Sequence, residues 1–140
     1  MMTVSQESVD VKTNVKMSLK YFRYEEFDSP DLPGSGINMS RDTLEMLDVA
    51  RGIAKIPFKI NSGFRTMAQN RKIYERMGKK PIRSAHLEGK AVDIAITTSR
   101  ERFKILSALL EAGFTRIGIS ESFIHADNSE TKSSHVIWTY

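Results

Sequence analysis

Cysteine is absent from this sequence, and that one absence excludes disulfides, thiolate metal sites and cysteine nucleophiles together. Histidine is scarce. There are three, His86, His125 and His135, so any metal must be held by a short choice of imidazoles and by carboxylates. No apolar run approaches the roughly 18 residues of a membrane span. The opening MMTVSQESVDVKTNVKMS lacks the apolar stretch of a secretory signal. The expectation is a chain that is cytoplasmic on synthesis and acts elsewhere only if delivered or released. Internal repeats and low-complexity tracts are also missing.

What is present suits one compact domain. Hydrophobic residues make up 40% and charged residues 27% of the 140 positions, enough for one core with a solvated surface. A monomer is expected. The formal net charge is +4, densest at Lys79, Lys80 and Arg83 and at Lys12, Lys16, Lys20 and Arg23. A basic balance favours anionic partners, although ordinary solvation accounts for a modest excess. No basic-aromatic interleaving and no continuous basic helix face is present, so nucleic acid is not an expected partner.

Residues 1–16 are polar without a period and are expected to form a flexible extension, with the ordered domain at 17–140. Tyr21, Phe22, Tyr24 and Phe27 should pack on the core, and the Pro- and Gly-rich stretch DSPDLPGSGIN is a loop. Ser40 should cap a helix carrying Leu44, Leu47, Ala50 and Ala54 at helical spacing, with Gly52 weakening its last turn. PFKINS reads as a short strand in which Phe58 and Ile60 alternate. Thr66 with Gln69 forms a capping box for a helix to about Met77. KAVDIAI reads as a strand with Val92, Ile94 and Ile96 on one face and Ala91, Asp93 and Ala95 on the other. Ser99 should cap a third helix with Phe103, Leu106, Leu109 and Leu110 as its apolar side, ended by Gly113. FTRIGI, SFIHAD and HVIWTY complete the strands. The whole predicts an α+β domain with helices beside a mostly antiparallel sheet.

Two segments could carry chemistry. In Ser84-Ala85-His86-Leu87-Glu88-Gly89-Lys90-Ala91-Val92-Asp93, a histidine in a glycine-containing turn precedes a strand aspartate by seven residues. The aspartate shares its face with small alanines. A buried carboxylate needs a partner, and a metal ion is one; a turn-capping aspartate with a surface histidine is the plainer alternative. In Ser122-Phe123-Ile124-His125-Ala126-Asp127, strand alternation puts His125 and Asp127 on one face. His135, beside two serines, reads as surface. His86, Asp93 and His125 together form a set of two imidazoles and a carboxylate. Catalytic zinc sites have three protein ligands and an open position for water, whose pKa zinc lowers to about 7. Such a site also needs a carboxylate base and a cation for the oxyanion. Asp127 and Glu121 are the nearby carboxylates and Arg65, in the SGFR turn, is the best cation. The HExxH signature of many zinc proteases is absent.

The order SGFR, SAHLEGKAVDI, SFIHAD and a terminal aromatic strand resembles the M15 metallopeptidases, the zinc D-Ala-D-Ala carboxypeptidases and related phage endolysins. It is most similar to their short single-domain branch, and the likeness covers roughly residues 17–140. The resemblance implies a fold of the hedgehog/D-Ala-D-Ala-peptidase type. It implies one zinc ion on His86, Asp93 and His125, with Arg65 on a substrate carbonyl or carboxylate and Ser84 as a polar contact beside the site. It implies hydrolysis of peptidoglycan stem peptides, by D-Ala-D-Ala carboxypeptidase or L-Ala-D-Glu endopeptidase action, as in a phage lysis protein. A zinc-binding module of the same fold without catalysis is the alternative. Many family members carry the base three residues before the last histidine. That position is Ser122 here, so Asp127 is the preferred base and Glu121 the second.

Overall fold

The structure, a computed structural model, describes residues 16–140. The expected extension at 1–16 lies outside the described residues except for Lys16.

Three helices and one five-stranded sheet form the domain: α1 Arg41–Ala54, β1 Ile60–Ser62, α2 Met67–Arg76, β2 Ala91–Ala95, α3 Ser99–Ala112, β3 Arg116–Ile119, β4 Phe123–Asp127 and β5 Val136–Thr139. The strand order is β1-β2-β4-β3-β5. Every pairing is antiparallel except β3 with β5, which is parallel. This is the α+β arrangement that the hydrophobic periods predict.

One face of the sheet is apolar by strict alternation. Val92, Ile94, Ile117, Ile124 and Ala126 are fully buried and join Leu44 and Leu47 of α1 and Ile105 and Leu109 of α3 in one core. The α1 positions at spacing four and three all turn inward as expected, and α1 and α3 pack on one another. Phe22, Tyr24 and Phe27 close the core from the N-terminal side, while Tyr21 stays at the surface against Gly52. This leaves the sheet's other face for polar side chains.

Several local expectations are corrected. Thr98, not Ser99, caps α3, through a reciprocal box with Glu101. The α3 residues Phe103 and Leu110 are 73% and 45% exposed. The buried stripe is Ile105, Ala108 and Leu109, because helix spacing offered two overlapping apolar stripes and the one containing small Ala108 admits α1. Ser40 stands at the N-cap of α1 without a side-chain cap. Its N–H instead donates to Gly89 O at 2.8 Å. The Thr66 box is half formed: its hydroxyl accepts from Gln69 N–H, but its own N–H donates to Ser29 Oγ. Phe58 is buried but precedes the strand, which starts at Ile60.

The Ser40–Gly89 bond matters beyond α1. It anchors the turn that carries His86 to the start of that helix. Gly89 has φ +71°, and a Cβ there would lie 2.3 Å from Asn38 O. Both the left-handed backbone and the close approach exclude other side chains. Gly89→Ala should therefore destabilise the protein by roughly 1–3 kcal/mol. Urea denaturation checks this, and an unchanged midpoint would refute it.

Candidate metal centre

The polar face of the sheet carries one row of residues in register. Asp93 on β2 lies opposite His125 on β4, His125 opposite Gly118 on β3, and Gly118 beside Trp138 on β5. The antiparallel register of β2 and β4 therefore brings Asp93 and His125, 32 residues apart, into contact. His125 Nδ1 lies 2.9 Å from Asp93 Oδ1.

His86 reaches the same oxygen from the loop before β2. Its Nε2 is 3.3 Å from Asp93 Oδ1. Its Nδ1 lies 2.8 Å from Gly63 O, so the ring donates there and leaves Nε2 as a lone pair. The loop is held by Arg65 N–H on His86 O and by Ser84 Oγ, which accepts from His86 N–H. Both imidazoles are at least nine-tenths buried.

The second nitrogen of His125 is also fixed. Nε2 lies 2.7 Å from Asp127 Oδ2. Asp127 is 1% exposed, and its other oxygen accepts from Arg116 Nε at 2.8 Å and Ser129 N–H at 3.1 Å. Both oxygens are thus engaged inside the protein. Asp127, the expected base, lines the cavity with one oxygen on His125 and the other on Arg116 and Ser129.

His86, Asp93 and His125 each offer one ligand atom, and these atoms lie within 4.8 Å of one another. Nitrogen and oxygen donors without thiolate suit a borderline divalent cation such as zinc. Each imidazole presents one nitrogen inward while its other nitrogen is hydrogen bonded, the outer arrangement that orients metal-ligating histidines. The residues therefore fit the ion.

The family model for Peptidase M15 matches residues 20–127. The chain belongs to peptidase family M15. No curated relative matches it. Membership in this family of zinc peptidases supports a hydrolase of the metallopeptidase kind, and the three convergent side chains could hold the metal that chemistry uses.

The centre of this M15 peptidase sits in a cavity of about 440 Å³ lined by, among others, Arg65, Tyr74, Ser84, Lys132, Trp138 and Tyr140. Arg65 is 9% exposed. Its Nη1 donates to Asn70 Oδ1, and its Nε is buried without a partner. Burial lowers the guanidinium's pKa, against the opposing charge of Asp93. Glu121 is exposed in the turn between β3 and β4, outside the cavity lining, and its carbonyl accepts from Arg102 of α3. His135 is at the surface beside Ser134, as expected. Sequence reasoning missed Arg116, Trp138 and Tyr140. The alternation of Trp138 in β5 with Tyr140 just after it, and of Arg116 with Gly118 along β3, is the signal that could have found them.

Burial opposes the charge on Asp93, but the adjacent His86 and His125 outweigh it and hold the carboxyl far below the usual range. Burial likewise opposes ionisation of Asp127 and of His125. Their mutual hydrogen bond and opposite charges, joined by Asp93 for the imidazole and by Ser129 and Arg116 for the carboxylate, together outweigh it, lowering the Asp127 pKa and raising that of His125. In protein stripped of metal, the His125 contribution to stability is present below its ordinary value near 6.5 and lost as pH rises through the raised one. The aspartate contributions are present above their ordinary value near 3.9 and lost as pH falls through the lowered ones. Stripped protein should therefore lose stability as pH rises above about 6.5, and His125→Gln should blunt that loss. Denaturant midpoints across this range check it; identical pH responses in the two proteins would count against the pairing.

Proposed function

We propose that this M15 peptidase binds one zinc ion through His86, Asp93 and His125 and hydrolyses amide bonds in peptidoglycan stem peptides. The observation that carries the reading is the convergence of His86 Nε2 and His125 Nδ1 on one Asp93 oxygen. Zinc bound there would polarise a substrate carbonyl and make a water acidic enough to serve as nucleophile near neutral pH.

The chain's own residues divide the remaining work. Arg65, with its unpartnered Nε, offers a donor to a substrate carbonyl or carboxylate. Its burial makes that donor strong, because the charge is poorly screened. Ser84 lines the cavity beside His86 and supplies a further polar contact. Asp127 acts on His125 as a positioning residue. Trp138 and Tyr140, half-buried and exposed respectively, wall the cavity and limit water. The bond cleaved is D-Ala-D-Ala in a carboxypeptidase or L-Ala-D-Glu in an endopeptidase, and release by a phage lysis system would bring the enzyme to its substrate.

One observation favours a second reading, a zinc-binding module without catalysis. Among the described residues, the side-chain carboxylates lining the cavity are Asp93 and Asp127, and both are engaged with the histidines.

Mass spectrometry of purified muropeptides, with and without zinc, separates the two readings. The peptidase reading expects cleavage that a chelator abolishes and zinc restores. It also expects Arg65→Met to lower kcat/KM by about 100-fold, the scale of losing one oxyanion donor, and Glu121→Gln to leave the rate unchanged. Bound zinc without cleavage supports the module, and cleavage that survives full metal removal refutes both.

A further inference from the structure

We propose that Arg116 is a positioning residue for the metal centre. Its guanidinium, stacked on Trp138, holds Asp127 so that one carboxylate oxygen faces His125 Nε2, which leaves His125 Nδ1 as the metal-ligating nitrogen. The inference rests on the zinc-site reading above and extends it by two residues that the resemblance does not assign.

Arg116 opens β3 and stands opposite Asp127 in register. Three contacts fix its guanidinium. Nε donates to Asp127 Oδ1 at 2.8 Å, Nη1 donates to Ser133 O, and the guanidinium carbon lies 5.1 Å from the centre of the Trp138 ring. The side chain is 12% exposed. Ser129 N–H fills the same Asp127 oxygen. With Oδ1 occupied by two donors, Oδ2 is the oxygen left for His125 Nε2.

Trp138 ties this brace to the imidazole directly. Its ring centre is 5.4 Å from that of His125, so one indole touches both the guanidinium and the ligand ring. It can lie there because the residue beneath it on β3 is glycine. A Cβ on Gly118 would come within 2.6 Å of the indole nitrogen.

The consequence is a choice of nitrogen. A neutral imidazole carries one N–H, and the hydrogen bond at one nitrogen decides which is free for a metal. A fixed acceptor at Nε2 places the proton there. Were Asp127 free to turn, that selection would weaken. Lysine cannot replace the arginine, because a single ammonium lacks the planar fork that reaches Asp127 and the Ser133 carbonyl together.

The test is zinc affinity of the full chain at fixed pH, by competition with a chromophoric chelator. Arg116→Met, Arg116→Lys and Asp127→Asn should each weaken zinc binding by about tenfold, the lower end for outer-shell partners. Combining Arg116→Met with Asp127→Asn should weaken it no further than Asp127→Asn alone, because the arginine acts through the aspartate. Unchanged affinity in folded Arg116 variants, or losses that add, would overturn the proposal. Arg116→Met strands a buried carboxylate and can cost the fold, so 15N NMR of His125 in the zinc-loaded wild type is the second measurement. A proton on Nε2 with metal on Nδ1 is expected, and the reverse overturns the proposal whatever the variants do. A wild-type chain that binds no zinc at all overturns both this inference and the reading beneath it.

Discussion

A carboxylate in the middle of a sheet is costly unless something compensates it, and the polar face of this sheet is organised around compensating Asp93. The strand residue opposite it is a histidine, the loop preceding its strand contributes another, and both turn a ring nitrogen onto the same oxygen. Each ring is then held from behind, His86 by the Gly63 carbonyl and His125 by Asp127. Remove the carboxylate and the two imidazoles have no common point to converge on.

The apolar half of the domain makes this possible by being ordinary. The β2 and β4 strands alternate strictly, so the residues between the ligands, Val92, Ile94, Ile124 and Ala126, are fully buried against α1 and α3. A slip of one residue in either strand would turn Asp93 and His125 into the core and the apolar residues out of it. The packing that holds the fold together therefore also sets the register of the centre. The loop bearing His86 lies outside this sheet logic, and it is pinned instead by backbone contacts at Gly89 and Arg65.

The polar face also shows how layers of support share one charge. Asp127 is satisfied on every side by His125, Arg116 and Ser129, and Arg116 is in turn satisfied by Ser133 and Trp138. A fully satisfied polar network rigidifies a site, whereas a half-satisfied one weakens it. Arg65 differs, with a buried Nε that has no hydrogen-bond partner among the described residues. That contrast sets Arg65 apart from the groups that brace His86 and His125.

Much of this was legible in the sequence. The helix and strand periods, the scarcity of histidine and the seven-residue spacing from His86 to Asp93 determined an α+β domain with one candidate metal set, because those signals are local or set by composition. What stayed hidden depended on long-range partners. The buried face of α3 could not be chosen until α1 packed on it, and the Ser40 cap gave way to Gly89 from a distant turn. The partners of Asp127 besides His125 were hidden too: Arg116 and Ser129 both donate to its second oxygen. Alternation in the sequence placed Asp127 beside His125; only the tertiary structure decided which donors meet that carboxylate, because the donors that occupy a side chain come from strands and loops whose meeting no local pattern records.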